Sequence, residues 1–104
     1  MRGVQAGNAN FENANATSAD MRGAILTSAQ FAGAILSDAR LQGIQASGAD
    51  FRSANVRGAN LQTALLVGAN FASADLTGSR MESADLSGAN LTGSWLNETI
   101  LSGA

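Results

Sequence analysis

The sequence contains no cysteine, no histidine, no proline, no tyrosine and no lysine. Without cysteine or histidine it offers no thiol nucleophile, no disulfide framework, no zinc site of the usual kind and no imidazole base near neutral pH. Six arginines against eight acidic residues leave a net charge of −2, whereas proteins that bind phosphate backbones are strongly basic. We therefore expect no enzyme, no cofactor or metal site, and no direct binding of nucleic acid.

Long hydrophobic runs are absent as well. No apolar stretch approaches the length that spans a bilayer, and the N-terminal segment lacks the apolar region of a signal peptide. The sequence thus predicts no membrane contact and favours a cytoplasmic location. With 104 residues, residues 1–104 are enough for one small domain and not for two.

Alanine and glycine are abundant, with 21 and 12 residues, and they follow a strict period of five. Every fifth residue from Met1 to Leu101 is apolar, and we call it the central position. Two residues earlier lies the small position (4, 9, 14 and onward), which holds 16 of the 21 alanines, and between the two lies the polar position (5, 10, 15 and onward), mostly Asn, Asp or Gln. After the central position come an outer position (2, 7, 12 and onward) and a corner position (3, 8, 13 and onward), and the corner holds 11 of the 12 glycines.

A period of five suits neither a continuous helix nor a continuous strand. On an α-helix, at about 100° per residue, positions five apart diverge by roughly 140° and form no stripe. On an unbroken strand an odd period places successive central residues on opposite faces. The chain must therefore turn once per repeat, with the small and central side chains inside and glycine or serine at the corner. The lack of proline fits a chain that needs nearly every backbone N–H as a donor.

The spacing of the phenylalanines predicts how many repeats close one coil. Phe11, Phe31, Phe51 and Phe71 are the only phenylalanines and lie 20 residues apart. If large rings stack on like rings, four repeats make one turn, whereas a three-sided coil would place Leu26 above Phe11. The sequence thus predicts an all-β, quadrilateral, parallel β-helix of about five coils, roughly 24 Å long at the usual strand spacing.

The repeating unit Ala-(Asn/Asp)-Leu-x-Gly resembles that of the pentapeptide repeat family. The resemblance covers essentially the whole chain and is clearest at Ala59-Asn60-Leu61, Ala74-Asp75-Leu76, Ala84-Asp85-Leu86 and Ala89-Asn90-Leu91. It implies a right-handed quadrilateral β-helix, and the handedness rests on this resemblance alone. The expected structural core includes Phe11, Phe31, Phe51, Phe71, Leu41, Leu61, Leu76 and Leu86.

Residues that differ from the repeat consensus provide a test of which positions face inward. Ile44 replaces an alanine at a small position, and Ala46 replaces a leucine two residues later, so bulk lost at one inward position returns at the other. Three small positions near the C-terminus carry hydroxyls, which we expect to hydrogen-bond to backbone carbonyls because a buried hydroxyl without a partner is costly. These residues are Ser79, Ser94 and Thr99.

One outward face, centred on Met21, Leu41, Leu61 and Met81, carries most of the arginines, and we call it the Arg face. Arg22, Arg40 and Arg80 lie on it, and we expect Asp20 beside Arg40, one coil apart. The face is either a solvated ladder of charges or a docking surface for an acidic partner.

The face centred on Leu26, Ala46, Leu66 and Leu86 is nearly uncharged, and we call it the neutral face. It shows Ile25, Leu65 and Val67 where polar residues are more usual. Trp95 breaks the polar pattern on the face centred on Leu36, Val56, Leu76 and Leu96, which we call the Trp face. These residues are either scattered exposed apolar side chains, which are normal on proteins, or a contact surface with Trp95 as its best anchor.

Two function classes remain open. The first is a non-enzymatic structural or protein-interaction scaffold whose partner the sequence does not identify. The second comes from the resemblance, because some pentapeptide repeat proteins mimic duplex DNA and bind DNA gyrase, which protects it from toxins or quinolones. That function requires a strongly negative surface, whereas four of the six arginines here fall on one face.

The repeat continues to both termini without a capping segment. An open coil end exposes apolar side chains and unpaired strand groups. We therefore expect either end-to-end association of copies of the chain or burial of the coil ends under segments outside this sequence.

Overall fold

The structure is a computed structural model that describes all 104 residues, with no helix and no strand longer than one residue. Its β structure consists of single-residue bridges at every polar position from Gln5 to Ile100. Every bridge is parallel and joins a residue to the one 20 positions later, so that Gln5 pairs with Ile25 and Arg80 with Ile100. The chain therefore winds as a parallel β-helix, and 20 residues, or four pentapeptides, lead from one coil to the next.

Hydrogen bonds follow the same scheme in each repeat of the inner coils. The N–H of the central Phe31 donates to the Asp50 carbonyl at 2.7 Å, and the N–H of the corner Gly33 donates to the Arg52 carbonyl at 2.9 Å, both in the next coil. The N–H of Ala34 closes a turn on the Phe31 carbonyl at 2.9 Å, and the polar position donates back to the preceding coil. Four of the five N–H groups are thus committed, which disfavours proline at four positions of each repeat.

All corner residues adopt a left-handed backbone, with φ between 56° and 73°. Each is the third residue of a turn closed by the small position, and this geometry is that of a type II turn. Glycine adopts such a φ without a steric penalty, which explains the 11 glycines at the corner position. Thr63 adopts it with φ 58° despite its branched side chain, so its corner is strained.

The hydrogen bonds between coils leave only the N–H of the outer position free. Where the polar position two residues earlier is Asn or Asp, its side-chain oxygen accepts that N–H. The Glu12 N–H donates to Oδ1 of Asn10 at 2.8 Å, and the Thr77 N–H donates to Oδ1 of Asp75 at 3.0 Å. All ten Asn and Asp residues at polar positions make this bond, which is an Asx turn. Asn and Asp are therefore common at the polar position because their side chains cap the backbone of their own turn.

The core consists of central and small positions from Met21 to Ala84. Phe31, Phe51, Phe71, Leu41, Leu61 and Leu76 are buried as expected, whereas Phe11 and Leu86 are half-buried against the edge of the core. The phenylalanine rings stack in one column with centroids 4.6 to 4.9 Å apart and planes within 7° of parallel. The prediction that like rings stack 20 residues apart is therefore confirmed.

The hydroxyl prediction is confirmed at two of its three positions. Ser94 Oγ donates to the Leu91 carbonyl at 2.7 Å, and Thr99 Oγ1 donates to the Leu76 carbonyl at 2.8 Å. At Ser79 the prediction is wrong, because its buried Oγ has no partner. The Leu76 carbonyl, which corresponds to the Leu91 carbonyl that Ser94 uses, already accepts the N–H of Ser79 and the hydroxyl of Thr99.

Replacing Ala32 with proline is expected to raise the free energy of unfolding by about 0.4–1 kcal/mol, because it restricts the unfolded chain. Ala32 occupies an outer position, its N–H has no acceptor in the protein, and proline suits the second residue of a type II turn. Ala72 is the matched control, since its N–H donates to Oδ1 of Asn70 at 3.0 Å. Losing that bond offsets about 0.5–1.5 kcal/mol of the gain, and equal stabilities of the two variants in urea denaturation would contradict the scheme.

Candidate functional site

The Arg face carries ion pairs that form within a coil. Arg22 Nη2 lies 2.6 Å from Asp20 Oδ2, and Arg80 Nη2 lies 2.9 Å from Glu82 Oε1. Hydrogen bonding to Arg22 holds the pKa of Asp20 well below its usual range. Arg40 is the backbone bridge partner of Asp20, so the two residues lie side by side in adjacent coils as expected. The Asp20 carboxylate nevertheless pairs with Arg22, and Arg40 is exposed without an ion pair.

Two further arginines are paired on other faces. Arg52 Nη2 lies 2.6 Å from Asp50 Oδ2, and Arg57 Nη1 lies 3.1 Å from Asp75 Oδ2. Hydrogen bonding to Arg52 lowers the pKa of the Asp50 carboxyl. Since four of the six arginines are neutralised by a near neighbour, the surface lacks a strong field of either sign. Exposed pairs of this kind stabilise the fold only slightly.

The neutral face has apolar side chains next to each other in one coil. Leu65 and Val67 are 45% and 42% exposed and flank the buried Leu66, whereas Ile25 is half-buried. The one charged residue on this face is Asp85, whose Oδ1 accepts the Ser87 hydroxyl at 2.6 Å. That bond lowers the pKa of the Asp85 carboxyl. The neutral face thus carries three outward apolar side chains, those of Ile25, Leu65 and Val67, among polar residues of which one is charged.

Trp95, on the Trp face, is the most exposed large hydrophobic residue, with 59% of its surface accessible. Ile35, at the same place three coils earlier, is 38% exposed. Leu96, Ile100 and Leu101 are also exposed near Trp95 in the sequence. Ile100 and Leu101 belong to the Arg face, so Trp95 itself is the candidate anchor, and tryptophan is enriched in protein-binding hot spots.

The surface has three shallow depressions. One, at Ser83–Ser87 with Gly103 and Ala104, contains the acidic side chain of Asp85, and another contains those of Asp38 and Glu98 together with Arg57. No three acidic side chains come together in an arrangement that could hold a metal ion. The structure also contains no helix with the length and hydropathy needed to cross a lipid bilayer.

Comparison with known proteins identifies the family to which this repeat belongs. The family model described as pentapeptide repeats (8 copies) matches residues 7–43, 29–66, 47–82 and 64–103. The chain belongs to the pentapeptide repeat family. A search of functionally curated proteins finds no match.

Solved structures of pentapeptide repeat proteins have the same fold. One from the thylakoid lumen of Arabidopsis thaliana is 31% identical with a TM-score of 0.88, over 89% of this chain and 65% of that one. A cyanobacterial one from Cyanothece is 23% identical with a TM-score of 0.71, over 95% of this chain and 88% of that one. QnrB1, a plasmid-mediated fluoroquinolone resistance protein, is 23% identical with a TM-score of 0.53, over 95% of this chain and 56% of that one.

These likenesses limit what can be transferred to this pentapeptide repeat protein. The chain spans about 65% of the length of the Arabidopsis protein, and the likenesses at 23% identity show the fold alone. The cytoplasmic location stays a prediction, because a relative comes from the thylakoid lumen. The end-to-end association expected from the uncapped repeat also stays a prediction.

Sequence reasoning missed one feature of the pentapeptide turns, the state of the outer-position N–H groups. Where the polar position is not Asn or Asp, the Asx turn is lost and the N–H has no side-chain acceptor there. This happens at four successive coils of the neutral face, where the polar residues are Gln5, Ile25, Gln45 and Leu65. The signal was present in the sequence as the missing Asn or Asp, but its meaning depends on the hydrogen-bond scheme of the coil.

Proposed function

We propose that the protein is a non-enzymatic scaffold that binds other proteins through its outward faces. The proposal includes the right-handed, four-sided form that the family resemblance implies, and the parallel bridges between residues 20 apart support the four-sided part of it. A β-helix without inserted loops presents side chains at fixed spacing. Little conformational entropy is therefore lost when it binds a partner.

The exposure of Trp95 is the observation that carries this proposal. Its backbone is held firmly, since its N–H donates to the Ala74 carbonyl at 3.0 Å and its carbonyl accepts the Leu76 N–H at 2.8 Å. Its side chain is 59% exposed, so a large apolar group extends from a rigid surface. Tryptophan at such a place is enriched among residues that dominate binding energy.

A catalytic function has no support in the chemistry of the faces. A hydroxyl nucleophile needs a positioned base, and the sequence contains neither histidine nor lysine. The acidic groups with lowered pKa values are engaged with neighbouring donors, as Asp20 is with Arg22 and Asp85 with Ser87. They are therefore held ionised as hydrogen-bond acceptors and are poor general acids.

The alternative function, mimicry of DNA in binding gyrase, fits the structure less well. Four arginines are paired with carboxylates, so the surface is near balance and not strongly negative. In a gyrase supercoiling assay we expect neither inhibition nor protection at micromolar protein.

The scaffold proposal is tested by capturing proteins on the immobilised chain and comparing wild type with Trp95→Ser. We expect a retained protein whose affinity falls roughly 30-fold in the variant, as for loss of about 2 kcal/mol at a hot spot. Thr92→Ala is the matched control, because Thr92 is also exposed in this part of the chain. Failure of wild type to retain any protein, or equal retention by Trp95→Ser, would contradict the proposal.

A further inference from the structure

The coil that carries Trp95 differs from the other coils in its charge. Residues 85–104 contain two acidic residues, Asp85 and Glu98, and no arginine, whereas each of the four preceding coils contains at least one arginine. Asp85 lies on the neutral face, two repeats around the coil from Trp95. Glu98 is therefore the nearest charged residue to Trp95 along this coil, and no arginine of the coil can neutralise it.

A second acidic residue lies on the same corner of the β-helix as Glu98. The corner positions that follow the Trp face are Ser18, Asp38, Gly58, Gly78 and Glu98, and no other corner position of the chain is acidic. Asp38 and Glu98 lie three coils apart, which is about 14 Å at the usual strand spacing. The two glycines between them have no side chains, so this corner forms a shallow trough with a carboxylate at each end.

The two carboxylates are not neutralised within the chain. Asp38 and Glu98 take part in none of the four ion pairs of the protein. Arg57 lines the same depression, but its guanidinium is held by Asp75 at 3.1 Å. Arg40 follows Asp38 by two residues on the Arg face and forms no ion pair with it. The trough therefore keeps two free negative charges.

The backbone of the trough offers hydrogen-bond acceptors and no free donors at its two glycines. The N–H groups of Gly58 and Gly78 donate to the next coil, whereas their carbonyl oxygens accept no hydrogen bond. The Asp38 carboxylate leans over Gly58, so that a side chain there would collide with it, and the space above Gly78 is open. Free corner carbonyls occur all around the β-helix, but only here do they lie between carboxylates. Such a surface fits a cation that donates several hydrogen bonds.

We propose that the Trp face binds a basic segment of another protein, with one arginine between Trp95 and Glu98 and a second arginine beside Asp38. This inference rests on the proposed function and specifies the chemistry of its partner. Arginine fits the first place because its guanidinium stacks on a tryptophan ring and forms paired hydrogen bonds with a carboxylate. Two residues four positions apart in an extended segment are about 13 Å apart, which is close to the length of the trough.

The charge of the trough disfavours the other classes of partner. Nucleic acids and acidic proteins are repelled by the free carboxylates of Asp38 and Glu98. A purely apolar partner would cover Trp95 but would also remove those carboxylates from water without pairing them, which is costly. A basic segment covers the tryptophan and neutralises both carboxylates, so it is the occupant that the surface fits.

Fluorescence tests the proposal directly, because Trp95 is the only tryptophan of the chain. The probe is a synthetic peptide with two arginines four positions apart, separated by threonine and valine, and the control peptide has glutamates in place of the arginines. We expect the arginine peptide to change the Trp95 emission to saturation, with an affinity that falls as salt is added, and the glutamate peptide to have no effect. No change with the arginine peptide, or an equal change with both peptides, would overturn the proposal.

Neutral substitutions of similar shape test the role of the trough. The double variant Asp38→Asn, Glu98→Gln should bind the arginine peptide roughly tenfold more weakly, as expected for the loss of two exposed ion pairs. The matched control is Glu12→Gln, Asp85→Asn, which removes two negative charges from other faces and should change the affinity less than about twofold, because distant charges are screened. Equal affinities of the two double variants would show that the trough does not bind the arginines.

The capture experiment separates this proposal from the scaffold function. A captured protein that Trp95→Ser loses but Asp38→Asn, Glu98→Gln retains at full affinity would support the scaffold function and overturn the basic partner. Binding of the arginine peptide without capture of any protein would instead contradict the scaffold function. In sedimentation velocity, self-association of wild type that Asp38→Asn, Glu98→Gln loses would place arginines of a second copy in the trough and overturn its assignment to another protein.

Discussion

Replacing Phe51 with alanine is expected to lower the free energy of unfolding by about 3–5 kcal/mol. The Phe51 side chain is 1% exposed and stacks on Phe31 at 4.9 Å and on Phe71 at 4.6 Å. Its loss leaves a cavity between two rings that cannot close, because the backbone of each coil is held by bonds to both neighbouring coils. Urea denaturation followed by circular dichroism measures the change.

Phe11→Ala is the matched control for the ring column. Phe11 is half-buried and has one stacking neighbour, Phe31 at 4.8 Å, so its loss should cost clearly less than that of Phe51. A loss of stability as large at Phe11 as at Phe51 would show that burial in the middle of the column does not determine the effect.

Replacing Leu61 with asparagine is expected to cost about 3–6 kcal/mol, since it removes a buried apolar side chain and buries an amide. Leu61 is fully buried at the centre of the Arg face. Its own N–H donates to the Arg80 carbonyl at 2.7 Å, and its carbonyl accepts the Ala64 N–H at 3.1 Å. The surrounding side chains are apolar, so the new amide finds few acceptors. Thermal and urea denaturation both report this loss.

Arg52→Gln provides the outward control. Arg52 is exposed and its pair with Asp50 lies at the surface, so the substitution should change the stability by less than about 0.5 kcal/mol. If Leu61→Asn and Arg52→Gln changed the stability equally, the assignment of inward and outward positions would be wrong.

The path of the chain could be predicted from the sequence because each repeat meets the same steric conditions. The small and central positions are two residues apart, so their side chains point to the same side of the chain. Because these side chains are apolar, that side must face inward. The column of Phe11, Phe31, Phe51 and Phe71 showed how many repeats separate stacked residues. The left-handed corner could also be expected from glycine, although Thr63 adopts the same φ.

The pairing of polar groups could not be predicted with the same success. Asp20 has Arg22 two residues away in its own coil and Arg40 one coil away, and the period of the sequence does not distinguish them. The structure pairs it with Arg22, which also places the Arg22 N–H 3.2 Å from Oδ1 of Asp20. The same difficulty applies to Ser79, whose hydroxyl has no partner, while the hydroxyl of Thr99 in the next coil donates to the Leu76 carbonyl.

The sequence by itself determined that the chain coils with a period of five, that alanine packs inside each repeat, and that groups for the usual nucleophilic and metal chemistry are missing. Only the tertiary structure decided which carboxylate each arginine meets and which backbone donors stay unpaired on the neutral face. The physical reason is that the backbone packs in the same way in every coil, whereas the acceptors within reach of a side chain differ from one repeat to the next. The surfaces available for binding arise from those choices.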